Sequence, residues 1–415
     1  MAAPAALAQI QAYRDNLWLR RAVLFILIIA AFLYPIVRPG SVGLDTANIA
    51  EVYVLLALGL NIVVGFAGLL DLGYAAFFAI GAYSAAMLAS TQFSTKKVIL
   101  NTSLLYIGPQ GIHLNFFLLI PVAAVIAALF GIAFGAPTLR LRGDYLAIVT
   151  LGFGEIVPKV IENMGTGNSF GLPNITNGVN SITGIDSPPN INLGPLHLIF
   201  SGNAEAPWYY LGLVIILISI LIITRLRNSR LGRSWVAIRE DEVAAAHAGI
   251  NITGTRLTAF ALGAAFSGFG GLLEASRIGS VSYIQFLFTV SVSILVMVIL
   301  GGIGSIPGVI VGGIVVAYLG QAWLPSLGSA INQFGSTLHH HHSTGILGAA
   351  GAWMGGLPVV SAEPMIFGII LVLIMLVRPG GLVPERRRAL EFHPETAQEL
   401  AEEQEELYTI RTGEI

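Results

Sequence analysis

Residues 47–66, with the sequence ANIAEVYVLLALGLNIVVGF, form a run of twenty residues that contains a single Asp, Glu, Lys or Arg, namely Glu51. A helix rises 1.5 Å per residue, so twenty residues cover about 30 Å, which is the thickness of the hydrocarbon core of a bilayer. The segment therefore predicts a transmembrane helix, and the fold follows from how often this pattern recurs.

Nine further stretches share the pattern. In chain order, the ten predicted spans are about 21–37, 47–66, 68–90, 115–136, 145–161, 207–224, 257–277, 287–301, 303–324 and 363–377. Long apolar runs satisfy their own backbone groups in lipid as helices, and the sequence has no alternating ten-residue segments of the barrel type. We therefore predict an all-α fold, a polytopic membrane bundle of about ten transmembrane helices.

The composition excludes several other classes of protein. Hydrophobic residues make up 55% of the 415 residues and charged residues only 11%, against about 25% in a soluble domain. A net charge of −2 gives no basic field for nucleic acid. Because the chain has no cysteine, it cannot form disulfides, thiolate zinc sites or iron–sulfur clusters by itself.

The distribution of cations predicts the orientation. If the amino terminus is cytoplasmic, the ten spans leave only five of the 21 Lys and Arg residues outside or near the outer interface. These five are Arg38, Lys96, Lys97, Lys159 and Arg277. Cytoplasmic loops are enriched in Lys and Arg, so both termini are predicted to be cytoplasmic. The apolar run after Arg20 and Arg21 is too long for a cleaved signal and is interpreted as a retained first helix.

This topology divides the chain into five segments. They are a cytoplasmic or interfacial segment 1–20, the helices of 21–224 with an outward loop 162–206, a cytoplasmic segment 225–256, the helices of 257–377 with an outward loop 325–362, and an acidic cytoplasmic tail 378–415. The four consecutive histidines His339–His342 do not have the spacing of a metal site, and they are interpreted as part of a low-complexity loop.

Glycine is abundant, with 48 residues, and most of it is interpreted as helix packing. Small residues recur every fourth position at Gly304–Gly308–Gly312 and in the pairs Gly131/Gly135, Ala264/Gly268 and Ser267/Gly271. Two regions differ, because glycine and polar residues interrupt the apolar run itself. They are residues 59–74 and 301–308. Interrupted helices are typical of a transport path, and tight turns give the same pattern; the second region is predicted to be a turn near the cytoplasmic face.

Polar side chains near the first interruption are candidates for the lining of a solute path. We expect this lining to include Asn61, Asp71, Tyr74, Tyr83 and Glu155. Ionisable groups at membrane depth usually face a cavity or a partner. Asp71 and Tyr74 would lie on one helical face, where they could bind a polar solute or its ammonium group, although Asp71 could instead cap a helix. Glu274 and Arg277, three residues apart, are predicted to pair with each other.

The segment 225–256 is the one long charged stretch between spans. Residues 239–248 begin with Arg239, Glu240, Asp241 and Glu242 and continue with good helix formers, and Gly249 is placed to end the helix. A short helix held under the membrane is too small to be a domain. Its predicted role is contact with another cytoplasmic protein.

Six motifs in register resemble the LivH/LivM family, the permease subunits of high-affinity branched-chain amino-acid ABC transporters. They are LGLNIVVGFAGLLDLGYAAFFAIGAY at 58–83, LRLRGDYLAIVTLGFGEIV at 139–157, LGRSWVAIREDEVAAAHAGI at 231–250, TRLTAFALGAAFSGFGGLLEA at 255–275, VMVILGGIGSIPGVIVGG at 296–313 and RPGGLVP at 378–384. The loops 162–206 and 325–362 are longer than the family pattern, and the tail 389–415 has no counterpart in it.

The resemblance implies a non-catalytic permease subunit of the LivM type in a multi-pass arrangement in the bacterial inner membrane. It implies a second, LivH-type permease as heterodimer partner, two ATPase subunits that carry the ATP and magnesium, and an extracytoplasmic solute-binding protein. It also implies that the stretch with Arg239, Glu240, Asp241, Glu242, Ala245 and Gly249 forms a helix that docks on an ATPase subunit.

Other functions remain open at this stage. Related permeases carry urea or short amides, so the scaffold alone does not identify the cargo. An ion-coupled secondary transporter would use Asp71, Glu155 or Glu274 for coupling. The sequence lacks a P-loop and the HExxH and GxSxG motifs, so we expect the chain to bind no cofactor and no metal and not to be an enzyme.

Overall fold

A computed structural model of the chain describes residues 17–38, 40–94, 100–102, 104–141, 143–165, 174–193, 196–200, 204–341, 352–357, 362–378 and 380–383. The predictions for residues 1–16, for the tail beyond 383 and for His342 lie outside the described residues.

The described part of the chain is mostly helical, and each predicted span overlaps a helix, although the span predicted at 68–90 is helical only over Ala75–Leu88. The helices are α1 Leu17–Val37, α2 Ser41–Leu60, α3 Ala75–Leu88, α4 Phe116–Thr138, α5 Asp144–Asn163, α6 Glu205–Arg227, α7 Arg230–Glu240, α8 Glu242–His247, α9 Ile252–Ile278, α10 Phe288–Gly301, α11 Ile306–Tyr318, α12 Leu324–His341 and α13 Glu363–Val377. Two π-helical segments, Asn61–Phe66 and Leu319–Trp323, continue α2 and α11.

Six helical segments are long and apolar enough to cross a membrane. They are Gly43–Phe66, Phe116–Thr138, Glu205–Arg227, Ile252–Ile278, Tyr283–Gly301 and Ile306–His340. Shorter apolar helices occupy Ile28–Val37, Ala75–Leu88 and Glu363–Val377. Large apolar side chains such as Phe25, Leu129, Leu221 and Leu376 are exposed on the outer helices, as expected for a bundle that faces lipid. The prediction of a polytopic helical bundle is confirmed.

Helix α9 lies at the centre of the bundle and packs against α2, α3 and α4. These contacts depend on small residues. A Cβ atom added at Gly81 of α3 would lie 2.5 Å from the Cα of Gly268, and one added at Gly131 of α4 would lie 2.8 Å from the Cβ of Ala264. Such close approach maximises van der Waals contact between helices, so the packing role predicted for these residues is confirmed.

Short strands cover one end of the bundle. Strands β1 Ala89–Ser90, β2 Leu100–Asn101, β3 Leu105–Gly108 and β4 Gly111–Leu114 form an antiparallel sheet in the order β1-β4-β3-β2. Two further pairs join β5 Ile182–Thr183 to β8 Ser280–Val281, and β6 Ile191–Leu193 to β7 Leu196–Leu198. None of these strands was predicted from the sequence, because segments of two to four residues are too short to show an alternation of apolar and polar residues.

The first part of the predicted loop 325–362 is a helix in the structure. Residues Leu324–His341 are helical and continue α11 through the second π-helical segment. The less exposed positions Leu324, Gly328, Ile331, Gly335 and Leu338 recur every three or four residues, which is the spacing of a helix with one face against the protein. The exposed His339 and His340 belong to this helix, not to a loop.

Candidate functional site

The first predicted interruption is present in the structure. After Leu60 the backbone widens into the π-helical turn Asn61–Phe66, and regular helix begins again only at Ala75. The widened hydrogen bonds run from the N–H of Ala67 to the carbonyl of Ile62 (3.1 Å) and from the N–H of Leu69 to the carbonyl of Val63 (3.0 Å). Single π-helical turns of this kind are frequent at functional sites.

The second interruption, residues 301–308, is the turn that the sequence predicts. Helix α10 ends at Gly301 and α11 begins at Ile306, and Gly302 and Gly304 between them have φ of 119° and 87°. Gly304 therefore belongs to the turn, and its predicted place in a packing stripe with Gly308 and Gly312 is wrong.

A small cavity lies beside the first interruption, toward the end of α4 that contains Thr138. The volume of this cavity is about 10 Å³, which is room for about one water. The lining residues are Asp71, Gly73, Phe77, Phe134, Thr138, Thr150, Phe153 and Phe260. Elements α3, α4, α5 and α9 thus meet around the non-helical residues 67–74.

Asp71 supplies the charge in this cavity. Its side chain is buried, with 2% of the residue exposed, and Oδ1 accepts a hydrogen bond from the N–H of Gly73 at 2.9 Å. The second oxygen, Oδ2, is buried without a hydrogen-bond partner in the described part of the chain. Asp71 thus forms a local turn with one oxygen, and the other accepts from no donor among the described residues. Both expectations for Asp71 are wrong: residues 71–73 are not helical, so Asp71 and Tyr74 share no helical face, and the N-cap of α3 is Tyr74, with no side-chain capping bond.

The other predicted lining residues are not among the residues that line this cavity. Asn61 is buried and accepts the N–H of Gly304. The hydroxyl of Tyr74 donates to the carbonyl of Gly263 at 2.7 Å, which joins α3 to α9. Tyr83 is buried against Phe286, and Glu155 lies on the exposed face of α5.

Sequence reasoning missed the two threonines of the cavity, Thr138 and Thr150. Thr150 lies within the predicted span 145–161 and Thr138 lies two residues after the span 115–136, so a polar residue in or beside a span was the available signal. Thr150 Oγ1 accepts the N–H of Leu72 at 3.0 Å and donates to the carbonyl of Ala147 at 3.0 Å. Thr138 Oγ1 donates to the carbonyl of Phe134 at 2.9 Å and to that of Gly135 at 3.0 Å.

The charged segment 225–256 forms two short helices, α7 and α8. The side chain of Asp241 begins α8, because its Oδ1 accepts the N–H groups of Val243 (2.8 Å) and Ala244 (2.9 Å). Gly249 ends it with φ of 82°. The N–H of Ile250 bonds to the carbonyl of Ala245 and the N–H of Gly249 to that of Ala246, which is the Schellman arrangement. The helix over Glu242–His247 and its stop at Gly249 are as predicted, but Arg239 and Glu240 belong to α7, a helix that the sequence did not predict.

Two side-chain contacts fasten this pair of helices to α9. The buried Trp235 of α7 donates from Nε1 to the carbonyl of Thr255 at 2.8 Å. Glu242 of α8 forms a two-bond ion pair with Arg256, at 3.2 and 2.9 Å. Buried Ala245 faces the bundle, whereas Glu240 and Asp241 are exposed. These contacts join α7 and α8 directly to the central helix α9.

A third contact connects the segment to the interrupted span. Arg239, at the end of α7, donates a hydrogen bond to the carbonyl of Gly65 in the π-helical turn. Its aliphatic stem lies against Gly68, which has φ of 70°. Gly65 and Asp71 are six residues apart in the same interruption. The guanidinium thus connects α7 to the residues that lead to the cavity.

An ion-pair network lies toward the other end of the bundle. Glu274 and Arg277 are paired at 3.2 Å, as predicted. Arg277 also contacts Asp45 at 2.6 Å and Glu205 at 3.6 Å, so that three carboxylates from α2, α6 and α9 surround one guanidinium. Nearby on α2, Glu51 is buried and its carboxylate oxygens have no hydrogen-bond partner among the described residues.

At the same end, the loop after α5 is tied to the four-stranded sheet. His113 Nδ1 lies 2.7 Å from Asp186 Oδ2, and the N–H of Asp186 bonds to the carbonyl of Ala89 at 2.8 Å. Partial burial lowers the pKa of His113, but the hydrogen bond and charge of Asp186 and the hydrogen bond to the carbonyl of Gln110 outweigh this and raise it above its usual value.

Comparison with known proteins identifies the family. A model of a permease family, described as branched-chain amino acid transport system / permease component, matches residues 42–377. The chain belongs to this family. The predicted resemblance to this permease family is confirmed. The matched residues include the interrupted span, helices α7 and α8, and the turn 301–308.

Curated relatives carry the same family description. The high-affinity branched-chain amino acid transport system permease protein LivM of Escherichia coli is 35% identical over 395 residues, or 90% of this chain and 77% of the relative. LivM of Salmonella typhimurium is 39% identical over 308 residues, or 69% of this chain and 64% of the relative, less than two thirds of its length. The permease protein LivH of the same organism is 24% identical over 65% of this chain and 80% of the relative. No solved structure matches the chain.

Proposed function

We propose that this chain is one of two permease subunits in an ABC importer that moves branched-chain amino acids across the bacterial inner membrane. The relatives named LivM and LivH support a heterodimer of this chain with a LivH-type subunit. ATP and magnesium would bind to two separate ATPase subunits, and this chain would catalyse no reaction itself. An extracytoplasmic binding protein would deliver the amino acid.

The arrangement of charges supports a topology with ten spans and both termini in the cytoplasm. On this topology α7 and α8 lie on the cytoplasmic side, because they connect α6 to α9. The sheet β1–β4 and the pair His113–Asp186 then lie on the outer side, where the binding protein would dock. The cavity at Asp71 lies nearer the cytoplasmic ends of the helices, since Thr138 is the last residue of α4.

Coupling would run from α8 through α7 into the interrupted span. The ATPase subunits would bind the exposed surface of α8, move it as they close on ATP, and thereby shift α9 through Trp235 and Glu242. The contact that carries this proposal is the hydrogen bond from Arg239 to the carbonyl of Gly65, because it connects the cytoplasmic segment to the span that is broken beside the cavity. Two-state rearrangement of packed helices is a recognised way to alternate access.

The proposal is tested in proteoliposomes that contain the complete complex, with ATP inside and binding protein and radiolabelled leucine outside. Arg239→Ala is expected to lower leucine uptake per ATP hydrolysed while the complex still assembles. Arg233→Ala is the matched control, because Arg233 lies on the same helix and its guanidinium bonds to Asn228 within the cytoplasmic segment. Equal uptake by both variants would reject the coupling route, and leucine uptake in the absence of the ATPase subunits would reject the importer itself.

A further inference from the structure

The polar side chains of the Asp71 cavity present hydrogen-bond acceptors. Oδ2 of Asp71 is buried and has no partner in the described part of the chain. The hydroxyl hydrogens of Thr138 and Thr150 are committed to the backbone carbonyls of Phe134, Gly135 and Ala147. A hydroxyl oxygen has two lone pairs and a single hydrogen, so both threonine oxygens retain acceptor capacity. A ligand that complements this lining must supply donors.

The rest of the wall is aromatic. Phe77, Phe134, Phe153 and Phe260 line the cavity, and the rings of Phe134 and Phe153 are stacked with centroids 4.6 Å apart. Aromatic rings exclude water and attract cations through their quadrupole. A buried carboxylate without a partner is costly, and a cation beside it removes that cost. The wall and the carboxylate therefore favour a small cation that carries several N–H donors.

We propose that this cavity binds the ammonium group of the amino-acid solute as it passes through the permease, with Asp71 as its counter-charge. This inference rests on the proposed import function and specifies its substrate class. An ammonium group has three donors and no acceptor. It is about as large as the single water for which the cavity has room. The solute carboxylate would be repelled by Asp71, so the solute would enter with its amino end first, once the surrounding helices have separated.

The proposal also discriminates between the cargoes that the scaffold admits. Urea and short amides have no positive charge to pair with Asp71, and their carbonyl oxygens are acceptors, which the acceptor lining disfavours. The ammonium group of an amino acid satisfies both conditions, and the carboxylate of the same solute would lie outside the cavity. The branched apolar side chain would then contact phenylalanine rings of the cavity wall.

The experiment uses the complete transporter in proteoliposomes with leucine as the labelled solute. Isobutylamine, which is cationic at neutral pH, and the uncharged isobutyramide serve as competitors of similar shape, and neither should displace leucine from the binding protein in a separate binding assay. For the wild type, isobutylamine is expected to inhibit uptake and isobutyramide is not. Asp71→Asn removes the charge but keeps the shape, and it is expected to lower uptake about tenfold or more and to abolish inhibition by the amine.

Tyr83→Phe is the matched control, because its hydroxyl is also buried without a partner in the described residues but does not line the cavity. ATP hydrolysis and assembly should be retained in both variants. If Asp71→Asn transports leucine normally, or if the amide inhibits as well as the amine, the cavity holds only a structural water and the proposal is wrong. Absence of ATP-dependent uptake in the wild type would instead reject the import function.

Discussion

The side chain of Asn61 accepts a hydrogen bond from the backbone N–H of Gly304 at 2.8 Å, across 243 positions of sequence. The contact joins the π-helical turn of the first half of the chain to the turn between α10 and α11 in the second half. Both groups are buried, so neither can bond to water instead. The two interrupted regions therefore form one structural unit.

Replacement of Asn61 should destabilise this unit. Asn61→Leu keeps the approximate volume but leaves the N–H of Gly304 buried without an acceptor, which costs about 1–3 kcal/mol. We expect a lower midpoint of thermal unfolding for the variant in detergent. Asn163→Leu is the control, because Asn163 is exposed and its side chain donates to the carbonyl of Lys159 within α5. Equal midpoints for the two variants would show that the contact does not hold the regions together.

Arg277 is expected to be the most sensitive charged residue of the bundle. Its side chain is 8% exposed and forms ion pairs with Asp45, Glu205 and Glu274. Arg277→Gln would leave three neighbouring carboxylates without a cation, and breaking a buried pair in this way costs about 3–5 kcal/mol. Yield of folded protein and the unfolding midpoint should both fall. Lys159→Gln, which breaks an exposed pair with Glu162, should change neither; a fall of similar size in both variants would contradict this explanation.

The ion pair between His113 and Asp186 should make stability depend on pH. Because the pKa of His113 is raised in the folded protein, the pair with Asp186 stabilises fully below the ordinary pKa of 6.5 and loses this contribution as the pH rises through the folded value. The difference in unfolding midpoint between the wild type and His113→Gln should therefore be larger at about pH 5.5 than at about pH 8.5. A difference that is constant with pH, or larger at high pH, would contradict the assigned pair.

Gly249 should control how α8 is presented to its partner. Its φ of 82° is unfavourable for a β-branched residue, although no other group lies within 4 Å of an added Cβ. Gly249→Val would cost about 1–2 kcal/mol in the present conformation and so change the end of α8. We expect reduced leucine uptake per ATP hydrolysed in an assembled complex. Gly249→Asn tolerates the left-handed conformation and should transport normally; equal coupling in both variants would argue against this role.

Much of the fold could be predicted from two signals, the length of the apolar runs and the glycine and polar residues that interrupt them. These signals located the helices, the broken span 59–74 and the stop at Gly249. The α12 helix was missed because its packing face includes Gly328 and Gly335, which do not register as apolar. The strands were missed because they are only two to four residues long.

The candidate site was predicted less completely than the fold. Asn61, Asp71 and Tyr74 lie close together in sequence, and nothing local distinguishes them. Their roles differ only because of partners distant in sequence. The side chain of Asn61 accepts a hydrogen bond from the N–H of Gly304, and the hydroxyl of Tyr74 donates one to the carbonyl of Gly263. Asp71 retains a free oxygen because no comparable donor reaches it in the described residues. Such tertiary pairing cannot be read from spacing along one helix.

The contact between Gly68 and Arg239 offers a direct measurement of the coupling route. A Cβ added at Gly68 would collide with the Cγ of Arg239, and the φ of 70° adds backbone strain. Gly68→Ala should therefore displace the guanidinium from the carbonyl of Gly65 and reduce leucine uptake. In an Arg239→Ala background the collision with Cγ is removed, and only the 3.2 Å contact with the retained Cβ and the backbone strain remain, so the same substitution should cost less.

The expected coupling between the two changes is about 0.5–3 kcal/mol, the range for residues in contact, and it is measured as a double-mutant cycle on unfolding midpoints and on uptake. The control cycle pairs Gly68→Ala with Arg233→Ala, whose guanidinium bonds to Asn228, and it should be additive. If the Gly68–Arg239 cycle is additive as well, the two residues act independently. If the interaction energy from uptake exceeds the interaction energy from unfolding, the contact between Gly68 and Arg239 changes between the two states of the transporter. A contact that couples ATP hydrolysis to transport must change in this way.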